Sequence, residues 1–144
     1  MLTAETMRER RGLDRRAGSK RLEELTAAIE QGQVEILFQP QFASEDGRVI
    51  GAEALSRWNH PRLGKIGAEA LFDVAERCGH AAELTSHIAI RALSVAAAWP
   101  DHLRLSLNVS PSDLTDESFS ATILAALAVA GFDPGRLTLE INEQ

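Results

Sequence analysis

One pattern occurs twice in this chain, 32 residues apart: RLSLNVS at residues 104–110 and RLTLEIN at residues 136–142. Between the two copies lies a helical stretch with four apolar residues on one side, Phe119, Ile123, Leu124 and Leu127. A strand, a helix and a second strand in this order predict a βαβ unit, whose strands are parallel and usually adjacent. We therefore expect Asn108 and Glu140 to lie side by side.

The segment upstream of this unit predicts a helix followed by a hairpin. The helix is expected from Ser19, a candidate N-cap, to Gly32. Strands are expected at residues 34–42 and 48–58. The turn sequence Glu45-Asp46-Gly47 between them predicts that these two strands run antiparallel.

The region between the hairpin and the βαβ unit predicts a loop and two helices. Residues 59–67 are polar and predict the loop. Helices are expected at residues 68–78 and 81–99, separated at Gly79, and Pro100 closes the second helix. Strands and helices in this order indicate an α/β fold.

The first twenty residues differ in composition from the rest. Large apolar residues are scarce in this segment. It contains six basic residues, Arg8, Arg10, Arg11, Arg15, Arg16 and Lys20, but only three acidic ones, Glu5, Glu9 and Asp14. We therefore expect residues 1–20 to form an exposed basic arm or a linker helix, outside a domain that covers residues 21–144.

Composition excludes several classes of protein. With 44% hydrophobic and 25% charged residues the chain is an ordinary globular domain, and it has neither a membrane-spanning stretch nor a secretory signal. We expect a cytoplasmic location. A single cysteine, Cys78, excludes an internal disulfide and a thiolate zinc site. The net charge of −6 argues against binding to a nucleic-acid polymer.

Three predicted strands carry oxygen-bearing side chains near their carboxyl ends. Strand alternation places Glu53, Asn108 and Glu140 opposite the apolar positions of their strands. Two carboxylates and an amide carbonyl are hard ligands that suit Mg²⁺, Mn²⁺ or Ca²⁺. In a parallel sheet this edge is where active sites lie. The same residues could instead be solvated or satisfy loop amides, and composition alone leaves both interpretations open.

Four motifs resemble those of the EAL-domain family of cyclic di-GMP phosphodiesterases, in the same order and spacing. They are Phe38-Gln39-Pro40, the run GAEALSRWNHP at residues 51–61, Leu107-Asn108-Val109-Ser110, and LEINE at residues 139–143. The resemblance covers residues 21–144 and is more specific than the Glu-Ala-Leu triplet alone.

The resemblance implies a TIM-like (β/α)8 barrel whose first strand runs antiparallel to the others. It assigns Glu53, Asn108 and Glu140 to a pair of divalent metals, Mg²⁺ or Mn²⁺. It assigns Gln39 and Arg57 to contacts with cyclic di-GMP, and Glu143 to the anchor of a loop beside the metals. The metals would polarise the phosphodiester and activate water, giving a linear dinucleotide.

The sequence departs from the family in three places. Gly67-Ala68 stands where a Ser-Pro pair usually opens a helix, and Asn142 stands where Thr usually separates two Glu residues. The chain also stops at Gln144, whereas such barrels take about 250 residues. We expect only the first half of the barrel, about four strands, with the paired Asp and the general base of the catalytic site beyond Gln144 and no catalytic residue in this chain.

Two alternative functions follow from this resemblance and from the departures. The first is a metal-dependent cyclic di-GMP phosphodiesterase domain, inactive in this shortened form. The second is a non-catalytic EAL-like interaction or regulatory module that self-associates through its open barrel edge. In either case the expected partners are cyclic di-GMP and a second copy of the chain or the missing half of the barrel.

Overall fold

The computed structural model describes the backbone of residues 4–141 and the side chains of residues 15–141. The helices in this range are α1 (Ala4–Glu30), α2 (Ala68–Arg77), α3 (Ala81–Ala96), α4 (Pro111–Thr115) and α5 (Phe119–Ala130). The strands are β1 (Val34–Phe42), β2 (Val49–His60), β3 (Gly64–Gly67), β4 (Arg104–Val109) and β5 (Leu137–Ile141). No helix among these residues is both long and apolar enough to cross a bilayer.

The strands form one mixed sheet in the order β1-β2-β4-β5, with β3 also paired to β2. The pair β1–β2 is antiparallel, whereas β2–β4 and β4–β5 are parallel. Asn108 pairs in register with Glu140, which confirms the predicted βαβ unit. Among the described strands, β1 and β5 are the outer strands of this order, as predicted for half of a barrel whose first strand is antiparallel.

The main core lies between the sheet and helices α3 and α5. Leu105, Leu107 and Val109 of β4 are buried, as alternation predicted, and the first two pack against apolar residues of both helices. Burying a leucine of this kind stabilises the fold by about 2 kcal/mol. Leu124 departs from the prediction, because 61% of it is exposed on the outer side of α5.

A second core cluster attaches the end of α1 to the sheet. Leu25 and Ala28 of α1 pack with Trp58 of β2 and with apolar residues of α2 and α3. The indole Nε1 of Trp58 donates to Oε1 of Gln33 at 3.2 Å. This cluster holds β2, the strand that carries Glu53 and Arg57, against the helices.

The predicted helix start at Ser19 is wrong, because α1 is one helix that begins at Ala4. Most residues before Ser19 are good helix formers, and a helix that is already nucleated extends through such residues at little cost. The expected end is confirmed: Gly32 follows the helix with a φ of +67°, a conformation that favours glycine.

The predicted loop over residues 59–67 is also wrong. Strand β2 continues to His60, and β3 pairs back onto it as a second hairpin. The buried His60 ring fixes the intervening turn, since its Nδ1 accepts hydrogen bonds from the backbone N–H groups of Arg62 at 3.1 Å and Leu63 at 3.2 Å. The polar composition of residues 59–67 predicted a loop because it could not show that His60 is buried and stabilises a hairpin turn. Helix α3 ends at Ala96, short of the expected Trp99.

Candidate functional site

One face of the sheet carries polar side chains from four strands and is called the polar face below. It is defined by strand alternation and by the register of the strands, and the members used below are Gln39, Gln41, Glu53, Arg57, Ser106, Asn108 and Glu140. The opposite face carries the apolar residues that pack on the helices. The fold thus gathers these seven polar residues on the side of the sheet away from the main core.

Glu53 and Asn108 are in direct contact on the polar face. The side-chain Nδ2 of Asn108 donates to Oε1 of Glu53 at 2.7 Å, although the two residues are 55 positions apart. Glu140 is the register partner of Asn108 on the neighbouring strand. The three residues predicted from their strands are therefore adjacent in space.

Glu53 does not lie near the carboxyl end of its strand, as the sequence led us to expect. Strand β2 continues to His60, but its pairing with β4 ends at Ala54. Beyond that point β2 pairs with β3, which occupies the same side. Glu53 therefore lies at the place where the parallel part of the sheet ends, level with the polar residues of β4.

Glu140 has a second neighbour that the sequence analysis missed. Nε2 of Gln41 donates to Oε1 of Glu140 at 3.4 Å, and the hydroxyl of Ser106 donates to Oε1 of Gln41 at 3.4 Å. Alternation on β1 places Gln41 on the same face as Gln39, so the strand pattern contained a signal for it.

The two residues expected to contact the substrate lie on the same face of the sheet as Glu53. Gln39 is exposed on β1 and is the register partner of Glu53. Arg57 is half-buried on β2, and its Nη1 donates to the carbonyl of Ser56 at 2.9 Å. The expected loop anchor, Glu143, lies outside the described residues.

A cavity of about 650 Å³ opens beside the Glu53–Asn108 pair. It lies between the ends of β2 and β4 and helix α2. Its lining combines apolar side chains with carboxylates, among them Leu55, Phe72, Ile88, Pro111, Glu69 and Glu76. A cavity of this size, with apolar walls and a few polar groups, has the character of a small-molecule site.

The turn after β4 is anchored by a buried carboxylate that the sequence analysis also missed. Asp113, 1% exposed, accepts hydrogen bonds on Oδ2 from the Ser110 backbone N–H at 2.8 Å, the Ser110 hydroxyl at 2.9 Å and the Thr85 hydroxyl at 3.0 Å. Ser110 and Asp113 form a capping box at the start of α4. The three-residue spacing of Ser110 and Asp113 before a helix was the sequence signal that could have predicted this capping box. The network fixes the chain two residues after Asn108.

Among the residues whose side chains are described, His87 and Asp116 have shifted pKa values. Burial, together with the nearby Arg91, lowers the pKa of His87 on α3. Hydrogen bonds from the side chain and backbone of Ser118 lower the pKa of Asp116 after α4.

The donor chemistry of the polar face suits a hard cation. No three His, Cys, Asp or Glu side chains of residues 15–141 cluster closely enough to hold a metal ion. Glu53 and Glu140, however, supply two carboxylates, and Asn108 lies between them with an amide oxygen. Oxygen donors of these types fit Mg²⁺ or Mn²⁺ and are poor ligands for softer metals.

Comparison with known proteins identifies relatives over most of the chain. The sequence model of the EAL domain matches residues 22–144. An uncharacterized signaling protein of Caulobacter vibrioides is 36% identical over 139 residues, which cover 96% of this chain and 16% of that protein. The cyclic di-GMP phosphodiesterase NbdA of Pseudomonas aeruginosa is 34% identical over 125 residues, which cover 84% of this chain and 16% of NbdA.

Solved structures show the same architecture. A complex of the PaMucR phosphodiesterase with c-di-GMP superposes with a TM-score of 0.79 at 26% identity, covering 87% of this chain and 52% of that one. The FimX EAL domain from Pseudomonas aeruginosa bound to c-di-GMP gives a TM-score of 0.73 at 21% identity and shares the fold. The chain spans about half of each of these two structures and less than half of the curated relatives it matches.

Proposed function

This chain belongs to the EAL-domain family, and from that premise we propose that it supplies metal-binding and substrate-binding strands of a cyclic di-GMP phosphodiesterase domain. The observation that carries the proposal is the contact between Glu53 and Asn108 at 2.7 Å, with Glu140 paired in register beside Asn108. The relatives named as phosphodiesterases support the substrate class.

In this proposal Glu53, Asn108 and Glu140 hold Mg²⁺ or Mn²⁺. The cation, when bound, polarises the phosphodiester and lowers the pKa of water. The protein's part is to bring two carboxylates and an amide together on adjacent strands of a rigid sheet. The Asp113 network then keeps the end of β4, and with it Asn108, in a fixed position.

Gln39 and Arg57 are proposed to contact the cyclic dinucleotide. A guanidinium group pairs with phosphate oxygens through two parallel hydrogen bonds, which suits Arg57. Gln39 offers both a donor and an acceptor beside Glu53. The remaining assignment, Glu143 as the anchor of a loop near the cations, rests on the family motif at residues 139–143 alone.

Charge predicts that the dinucleotide binds together with a cation. Glu53 and Glu140 are carboxylates on the polar face, and each cyclic di-GMP molecule carries two phosphodiester charges. Like charges at short distance repel strongly in a partly buried site. A divalent cation between carboxylate and phosphate turns this repulsion into attraction, so substrate affinity is expected to depend on Mg²⁺ or Mn²⁺.

The test is a calorimetric titration of cyclic di-GMP into the purified protein, with and without Mn²⁺. We expect Mn²⁺ to strengthen binding and Glu53→Gln to weaken Mn²⁺-dependent binding by at least about 10-fold. Glu45→Gln, the same change in an exposed turn, is the matched control and is expected to bind like the parent. Binding that does not respond to Glu53→Gln would contradict the proposed site.

Assay of the same samples for the linear dinucleotide tests whether this chain alone is sufficient for catalysis. Cation-dependent binding with cleavage supports the hydrolase and contradicts the expected inactivity of the shortened form. Binding without cleavage is expected of both functions, and self-association through β5 then favours the interaction module, for which the exposed edge residues Leu139 and Ile141 of β5, 38% and 56% exposed, are the supporting observation. Such a module would associate with a second copy or with the rest of a barrel through that edge.

A further inference from the structure

The side chain of Gln41 extends across the polar face from β1 to residues of β4 and β5. Gln41 is half-buried, pairs in register with Gly51, and directly precedes the register shift at Phe42. A bulge of this kind re-aims the neighbouring side chain. Gly51, on the strand between β1 and β4, has no side chain to fill the space, so the Gln41 side chain can extend past β2.

The side chain of Gln41 contacts both β4 and β5. Glu140 offers only acceptors when ionised, so its contact at 3.4 Å requires the amide nitrogen of Gln41 to face it. The amide oxygen then faces the hydroxyl of Ser106, a residue that is 3% exposed and is held within the sheet. One amide thus links a buried hydroxyl on β4 to one carboxylate oxygen on β5.

We propose that Gln41 is a positioning residue that orients the Glu140 carboxylate for cation binding. The inference rests on the proposed function, because Glu140 is a cation ligand only within it. Both hydrogen bonds are long, so each contributes little to fold stability. Loss of a side chain hydrogen-bonded to a metal ligand typically costs about 10–100-fold in metal affinity.

The experiment measures Mn²⁺ affinity by calorimetry, without nucleotide, in the intact protein, four single variants and one double variant. Gln41→Met keeps the length of the side chain but removes the amide donor. Gln31→Met makes the same change at an exposed position after α1 and is the matched control. Glu53→Gln removes a carboxylate of the proposed cation site, so its Mn²⁺ affinity tests that site directly. Urea unfolding of every variant shows whether the fold is retained.

We expect Gln41→Met to weaken Mn²⁺ binding by about 10-fold with an unchanged unfolding midpoint, and Gln31→Met to bind like the parent. The fourth variant, Ser106→Ala, should weaken binding less, and adding it to Gln41→Met should produce no further loss. A residue with a merely structural role would not show this non-additivity in metal affinity.

The outcomes separate this inference from the proposed function. If Glu53→Gln weakens Mn²⁺ binding but Gln41→Met does not, the positioning role is overturned and the proposed site stands. If neither the parent nor any variant binds Mn²⁺, the proposed function fails and the role of Gln41 fails with it. If Gln41→Met weakens binding only by lowering the unfolding midpoint, its role is structural and the inference is overturned.

Discussion

Gly51 shows how one residue sets the approach of two strands. A Cβ atom placed on Gly51 would lie 2.5 Å from the backbone oxygen of Arg104 on β4, closer than real Cβ atoms come. The clash is with backbone, so the β2–β4 pairing would have to shift to relieve it.

We expect Gly51→Ala to lower the free energy of unfolding by about 1–3 kcal/mol, because it overpacks the contact between β2 and β4. Urea unfolding followed by circular dichroism measures this change. Gly18→Ala is the matched control, since a Cβ on Gly18 in α1 meets nothing within 4 Å and alanine favours a helix by about 1 kcal/mol. Equal stability of Gly51→Ala and the parent would refute the close approach.

His87 gives the fold a pH dependence with a defined sign. It is half-buried on α3, its Nε2 has no hydrogen-bond partner among the described residues, and burial, with Arg91 nearby, lowers its pKa below the usual 6.5. The unfolded chain therefore takes up the proton more readily than the folded one. The stability that depends on neutral His87 is complete above pH 6.5 and is lost as the pH falls through the lower folded-state pKa.

We expect His87→Gln to make the urea midpoint vary less between about pH 8 and about pH 5 than it does in the parent. His102→Gln, made at an exposed position, is the matched control. A steeper pH dependence in the His87 variant than in the parent would show that the sign is wrong.

At the scale of elements, the five-residue helix α4 is held by its contacts rather than by its length. An isolated helix this short is not stable in water. The carboxylate of Asp113 supplies the missing stabilisation by joining Ser110, at the end of β4, to Thr85 on α3. The network thus ties the strand that carries Asn108 to the helix layer.

We expect Asp113→Ala to lower the free energy of unfolding by about 3 kcal/mol, because it removes the N3 half of the capping box and leaves the Thr85 hydroxyl and the Ser110 N–H without their acceptor. Asp113→Asn, which retains an acceptor oxygen, should cost less. Asp101→Ala, at a fully exposed carboxylate, is the control and should change stability little. In a double-mutant cycle with Thr85→Val, additive effects would argue against the Thr85 contact.

At the scale of the whole molecule, helix α5 is apolar on two sides. Ile123, Ala126 and Leu127 pack in the core, while Leu124 and Val129 are 61% and 83% exposed. A helix that is apolar all round is usually covered on all sides. The outer side of α5 and the exposed residues of the edge strand β5 are therefore candidate contact surfaces of the described fold.

We expect the chain to associate as its concentration rises, and replacement of Leu124 and Val129 together by Lys to reduce that association in sedimentation velocity experiments. Because both residues are exposed, the double variant should unfold within about 0.5 kcal/mol of the parent. Leu127→Lys, two positions before Val129 but in the core, should instead unfold the protein. A parent chain that sediments as a monomer at all concentrations would contradict this prediction.

Local sequence patterns determined most of the secondary structure and the division of the strands into two faces. The hairpin, the βαβ unit and the apolar side of β4 all follow from turn residues and from strand or helix periods, which act over a few neighbouring residues. The helix start and the loop over residues 59–67 escaped prediction. The early start of α1 depends on the packed end of that helix, at Leu25 and Ala28, from which the helix extends toward its N-terminus. The second hairpin depends on the buried His60 ring, whose Nδ1 accepts hydrogen bonds from the backbone of the turn.

The sequence predicted part of the candidate site, and the tertiary structure decided the rest. Alternation placed Glu53, Asn108 and Glu140 each on the polar side of its own strand, and the family motifs suggested what they do. Only the tertiary structure decided that β2 lies next to β4, that Asn108 touches Glu53, and that Gln41 reaches Glu140. Those contacts join residues 55 and 99 positions apart. They depend on strand order and on close backbone approach at Gly51, which no local pattern encodes.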